Sequence, residues 1–288
     1  MPVVSMISWK GGVGKTTLTL ALADFLSAIH GRDVLVIDMD PRASASIALL
    51  GDDEWKVLDE TRSTVADLFE HAVRRSDPQQ PFATELLIQT AARVKGASGE
   101  VHVMASSPRL QSVEDSAMET RARWSPYGGS PYMLLQQPLM KRVLSDYDYV
   151  LIDCPPSMGM ITLNALTISS GYLITAAPDY ISTAGLAQVA ERVKHHARGV
   201  RRKIPLYGTV VSLYRRSALR GAVILEELRG RPEAQPLWDT IIRETAHARE
   251  ILDRSDRLMS LSARYGGGSD STYMSFRALA DEFLQRIS

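Results

Sequence analysis

Residues Ser8–Leu22 read SWKGGVGKTTLTLAL, three glycines between two lysines followed by an abruptly apolar run. A phosphate loop of the usual kind reads G-x-x-x-x-G-K-[ST] and turns a strand into a helix. Gly14, Lys15 and Thr16 supply its end, whereas Trp9 stands where its first glycine belongs. The physical requirements are met nonetheless. Gly11, Gly12 and Gly14 let the backbone amides around Val13 converge on an anion without interference from a Cβ. A helix that starts near Lys15 points its positive end at the same place. In this arrangement Lys15 reaches the terminal phosphates of a nucleotide, the Thr16 hydroxyl ligates Mg²⁺, and Thr17 belongs to the same cradle. Lys10 has no part in that chemistry and needs another reason.

Outward from the loop, the chain alternates strand and helix. Val3 to Ser8 is a short run suited to a strand buried on both faces. After the glycines, Leu18, Leu22, Phe25, Leu26 and Ile29 form a stripe at helical spacing, and Gly31 sits where a C-cap belongs. Asp33–Asp38 (DVLVID), Tyr149–Asp153 (YVLID), Tyr172–Pro178 and Leu206–Leu213 read as further strands, with Val101–Met104 a weaker one. Strands separated by helix-length segments predict an α/β fold, a mostly parallel twisted sheet with helices on both faces. Two stretches break the rhythm. Residues 74–99 are polar, and 106–138 are rich in Ser, Pro and Gly, so both read as surface insertions in one domain spanning 1–288.

Composition narrows the function. The 33 basic residues equal the 33 acidic ones, so a nucleic-acid contact must come from a local patch. One cysteine, Cys154, allows no intrachain disulfide and fits a reducing compartment. The first residues read as a strand rather than a signal peptide, and no apolar run approaches membrane-spanning length. A cytoplasmic protein is expected.

In an open parallel sheet, ligands sit at the carboxyl ends of the strands. Asp38 and Asp40, in VIDMDPRAS, end one strand, and Asp153, in VLIDCPPS, ends another. Carboxylates there suit Mg²⁺ and its waters, although a strand-end aspartate is also a common helix cap.

The segment KGGVGKT (Lys10–Thr16) resembles the deviant Walker A motif of the ParA/MinD superfamily of P-loop ATPases. The resemblance extends over DMDP, VLIDCPP, Pro155–Leu166 and Pro178–Val189, and more loosely over Thr240–Tyr265. It implies ATP and Mg²⁺ as ligands and an ATP-dependent sandwich homodimer. Lys10 would be the signature lysine that reaches the partner's phosphates; the alternative is a solvated lysine beside the loop. Asp40 would position the attacking water, Asp38 would support it from behind, and Asp153 would hold magnesium through water. Arg42 stands where that family commonly has glutamine.

Within the superfamily, the iron-cluster branch takes two cysteines per chain, and this chain has one. The membrane-binding MinD-like branch uses a basic amphipathic C-terminal helix. Here Phe276, Leu279, Phe283, Leu284 and Ile287 share a side, but Asp281 and Glu282 offset Arg277 and Arg286, which reads as a core-packing helix. The ParA branch binds DNA nonspecifically. Glu191–Lys203, with Arg198, Arg201, Arg202 and Lys203, and the YRRSALR stretch, with Arg215, Arg216 and Arg220, are the candidate contacts; a solvated basic face is the alternative. The resemblance thus implies a small ParA-type partition ATPase, nucleoid-associated and stimulated by a ParB-like adaptor. A MinD-like membrane switch and a metabolic ATP-dependent ligase of the same fold remain alternatives.

Overall fold

The computed structural model describes residues 1–74, 84–91, 94–119, 131–135, 143–215, 219–245, 248, 251–252, 258–267 and 271–287. Runs of β-branched and aliphatic residues buried on both faces form the centre of the sheet. In β1 (Val3–Ile7), β2 (Val34–Asp38) and β5 (Tyr149–Asp153) every residue is buried, the pattern of parallel strands covered on both sides. With β3 (Ile88–Thr90), β4 (Val101–Met104), β6 (Gly171–Ala176), β7 (Leu206–Tyr214) and β8 (Leu237–Arg243) they make one eight-stranded sheet in the order β3-β4-β2-β5-β1-β6-β7-β8. Among the described residues, only the β3–β4 pair is antiparallel.

Alternation along each strand divides the core into two layers. Val3 and Ile7 of β1, Leu35 and Ile37 of β2, and Val150 and Ile152 of β5 face one layer. That layer is closed by helices α4 (Val65–Arg74) and α5 (Arg109–Glu119) and by those at Met160–Ile168 and Leu186–Gly199. Val4 and Met6, Val34 and Val36, and Tyr149 and Leu151 face the other. Covering it are α1 (Lys15–His30), α2 (Ser44–Leu50) and the C-terminal helix Ser271–Arg286. Helix α1 ends at Gly31 with φ of 61°, as the sequence predicts. Phe276, Leu279, Phe283 and Ile287 are buried and Leu284 half-buried, so the apolar side of the last helix is core. Glu282 fastens it to β8 by accepting the amides of Asp239 and Thr240 at 3.0 and 2.9 Å. No helix among the described residues is long and apolar enough to cross a membrane.

The two stretches expected as surface insertions carry core. Within 106–138, α5 buries Leu110, Val113 and Ala117, and Leu134 and Leu135 are buried in the same layer. A short helix, α3 (Asp52–Glu60), precedes α4, and the Arg109 guanidinium joins all three helices through Asp59, Asp67 and Glu70. Within 74–99, β3 forms the sheet edge, and Leu87 and Ala91 are buried. Much of both stretches, residues 75–83, 92–93, 120–130 and 136–138, lies outside the described residues. Polar composition concealed helices and a strand that contribute only a few apolar side chains each. Strand β8 escapes a sequence reading because Asp239, a residue type strands disfavour, interrupts its apolar run.

Candidate functional site

The glycine loop leaves the carboxyl end of β1 and enters α1 through two left-handed residues, Gly12 (φ 74°) and Gly14 (φ 81°). Gly14 is the N-cap and brings no side chain to the amides. Among the described residues, none of the amides from Gly11 to Thr17 donates to a backbone carbonyl; the first helical bond is Leu18 N to Gly14 O at 2.9 Å. A row of unspent N–H groups at a helix start is an anion site. The Val13 side chain is buried and its carbonyl accepts from the Ser212 hydroxyl of β7, which fixes the loop to the sheet. Trp9 lies against Gly185, where an added Cβ would fall 2.1 Å from the indole, so the missing first glycine is replaced by a ring seated on another glycine. Residues 11–17 line a pocket together with Arg42, Ser44, Pro156 and Leu252.

Behind the loop, parallel register places Asp38 opposite Asp153 at the ends of β2 and β5. Lys15 Nζ lies 2.5 Å from Asp153 Oδ1, and the Thr16 hydroxyl donates to Oδ2 at 2.7 Å. Thr19, one helical turn on, reaches Oδ1 at 3.3 Å. Asp38 is fully buried and faces inward: it accepts from the Asp40 amide at 3.1 Å and from the Ser46 amide and hydroxyl at 2.8 and 2.7 Å. It therefore braces the β2–α2 loop and does not line the pocket. Burial and the nearby Asp153 charge raise its pKa to about 7, against the opposing pull of Ser46.

Asp40 is held by Arg42. Arg42 donates to Oδ1 from its amide (3.0 Å) and from Nε (3.1 Å), and to Oδ2 from Nη2 (2.8 Å). Burial works to raise the Asp40 carboxyl, but these bonds and the Lys15 charge outweigh it and hold it below the usual carboxylate range. Lys10 sits at the rim of the site, half-exposed, with Nζ 3.1 Å from Asp179 Oδ2. Asp179 follows β6 and caps the Tyr180–Ala184 helix by accepting from the Ser182 amide at 2.8 Å.

The two basic stretches do not form one patch. Arg198, Arg201 and Lys203 are exposed around a groove floored by Tyr172, Val193 and Ile204, at the amino ends of β6 and β7. Arg202 also borders it, but its guanidinium donates to the carbonyls of Thr167 and Ser169. Arg215 lies past the carboxyl end of β7, paired with Glu244. The nine residues of β7 between them span about 30 Å. Arg216 lies outside the described residues, as does the side chain of Arg220.

Several of these partners leave little trace in the sequence. Thr19 was detectable at helical spacing from Lys15 and Thr16, and Asp179–Ser182 as an N-cap spacing. Ser212 and Leu252 come from distant segments and carry no local signal.

A mostly parallel sheet with a glycine loop and an amide-lined helix start after its central β1 is the fold of a P-loop nucleoside triphosphatase. The AAA_31 model, described as an AAA domain, matches residues 1–206. The chain belongs to that family and is a P-loop ATPase of the ParA/MinD type. It is 27% identical to the chromosome partitioning protein ParA of Myxococcus xanthus over 79% of this chain and 70% of that one. It is 26% identical to the sporulation initiation inhibitor Soj of Bacillus subtilis over 79% of this chain and 78% of that one. Among solved structures, cobyrinic acid a,c-diamide synthase from Mycobacterium smegmatis, with bound ATP analog and magnesium, has a TM-score of 0.73 at 20% identity, covering 99% of this chain and 94% of that one. A putative plasmid partition protein from Borrelia burgdorferi, bound to AMPPNP, has a TM-score of 0.71 at 18% identity over 99% of each chain.

Proposed function

We propose that the chain is a Mg²⁺-dependent ATP hydrolase that acts as a switch: ATP joins two copies face to face, the dimer binds DNA nonspecifically, and slow hydrolysis releases it. On this reading the whole chain, 1–288, is one ATPase domain that works in the cytoplasm on the nucleoid. An adaptor of the ParB kind stimulates hydrolysis, and the cargo is a chromosome, plasmid or other large assembly. The observation that carries the reading is the second lysine. Lys15 is committed to its own pocket, whereas Lys10 stands at the rim with a side chain 41% exposed, beyond its own pocket's needs. A cation there suits a phosphate approaching from a facing copy.

The loop amides from Gly11 to Thr17 bind the phosphates and Lys15 reaches the terminal ones. Thr16 and Asp153 offer an all-oxygen donor set, already 2.7 Å apart, and are the residues that would hold Mg²⁺. The ion, when bound, neutralises charge on the terminal phosphates. Asp40, ionised at neutral pH, orients water, and Asp38 holds the Asp40 loop. For DNA, the groove cations Arg198, Arg201 and Lys203 are the first choice, with Arg202 spent largely on the fold. The metabolic-ligase alternative gives Lys10 no task, and the buried face of the last helix gives a membrane little to hold.

Two measurements test this. Lys10→Ala retains nucleotide affinity and loses ATP-dependent dimerisation in sedimentation; an intact dimer refutes the trans role. In mobility shifts with ATP, ADP and no nucleotide, the shift requires ATP and weakens with salt. Replacing Arg198, Arg201 and Lys203 by alanine lowers the salt slope by roughly one per lost phosphate contact. An unchanged slope moves the DNA surface elsewhere.

A further inference from the structure

Arg42 is an arginine on the wall of the phosphate pocket, and its side chain is only partly used. The guanidinium grips Asp40 through Nε at 3.1 Å and Nη2 at 2.8 Å, while Nη1 has no partner among the described residues. Asp40 is almost completely buried, but the Arg42 side chain is 59% exposed and borders the same pocket as the loop amides. Arg42 and Lys15 line that pocket together, and the Lys15 ammonium is close enough to act on the Asp40 carboxyl that Arg42 holds. The lysine of a phosphate loop meets the terminal phosphates.

Charge makes the same point. Lys15 is already matched by Asp153. A triphosphate brings more negative charge than a diphosphate, and the added charge arrives beside the Arg42–Asp40 pair. Carboxylate and phosphate oxygens fit the same planar fork of donors, so a guanidinium resting on one can turn an arm to the other at small cost.

We propose that Arg42 is the group by which this site distinguishes a nucleoside triphosphate from a diphosphate. Its fork rests on Asp40. On loading, Nη1 takes an oxygen of the terminal phosphate while Nε keeps its hold on Asp40, which sets the water-orienting carboxylate against the phosphate to be attacked. Arg42 is thus a ligand of the terminal phosphate and a positioning residue for Asp40. This assignment rests on the reading of the pocket as an ATP site.

The test is the affinity ratio between a non-hydrolysable ATP analogue and ADP. It is measured by titration calorimetry with Mg²⁺, at protein concentrations where sedimentation shows a monomer. Arg42→Gln and Arg42→Ala are expected to weaken the ATP analogue by about tenfold or more, the scale of a lost charge-assisted bond, with ADP within twofold. Arg42→Lys keeps part of the preference. A residue that merely braced the loop would lower both nucleotides together, so a parallel loss overturns the assignment. Unchanged affinity for both overturns it equally. A wild-type chain that binds neither nucleotide overturns the reading of the pocket itself, distinguishable because the ratio is then never established.

Discussion

Lys10 and Lys15 belong to one loop, five residues apart, and live in opposite surroundings. The Lys15 side chain is 5% exposed and its ammonium lies 2.5 Å from a fully buried carboxylate; the Lys10 side chain is 41% exposed and pairs at 3.1 Å with Asp179, itself 36% exposed. Attraction between opposite charges grows severalfold from water to a protein's margins and further in its interior. A buried pair, once assembled, also cannot lose one member without stranding the other. An exposed pair is worth about 1 kcal/mol or less and exchanges freely with water. The same residue type is therefore built into the fold at one position and held on an exchangeable partner at the other.

Substitution at the buried position is expected to have the largest effect. Lys15→Ala leaves Asp153 beside Asp38 without its paired ammonium, and stability falls by about 3–5 kcal/mol, the usual result of breaking a buried pair. Nucleotide binding is lost with it. Denaturant unfolding and calorimetry measure both, and a variant as stable as wild type would break the contrast between the two lysines.

A smaller effect is expected from Asp179→Asn. Asparagine caps a helix about as well as aspartate, so the Ser182 bond survives and only the charge facing Lys10 is lost. On the proposed reading the ATP-dependent dimer should tighten by about two- to thirtyfold, the release of two pairs, one per copy, each worth up to about 1 kcal/mol. Sedimentation at graded protein concentrations reads this; a dimer unchanged or weaker means that Asp179 does not restrain Lys10.

The smallest effect is a titration. Burial alone would raise the Asp179 carboxyl, but the Ser182 amide, the Lys10 ammonium and the Ser182 hydroxyl together hold it below the ordinary range. A carboxyl depressed in the folded state adds stability above its unfolded pKa and loses it as pH falls through the folded one. Lys10→Ala should raise the Asp179 pKa only part of the way, because Ser182 still donates. Carbon-detected NMR of the carboxyl follows it, and no movement would mean that the pair is not populated in solution.

Much of this was legible beforehand because it is local. The glycines, Lys15, Thr16 and the start of α1 lie within one strand-to-helix turn, and backbone geometry there depends on neighbouring residues. The carboxyl-end positions of Asp38, Asp40 and Asp153 follow from strand direction alone. By contrast, α5 and β3 lay within polar stretches because each buries few side chains and depends on neighbours for the rest of its stability. The division of the basic residues between opposite ends of β7 was hidden for a related reason. Arg198 and Arg215 are close in number, but a strand of nearly 30 Å runs between them.

The class of fold, the anion-binding turn and the residue types that meet at it follow from the order of amino acids, since period, glycine placement and strand polarity are properties of short segments. What the distant charges rest on came from packing in three dimensions: Lys10 on Asp179, Arg202 on the carbonyls of Thr167 and Ser169. A charged side chain takes the partner that packing and burial bring within reach. For Lys10 and Arg202 those partners come from segments 169 and 35 residues away.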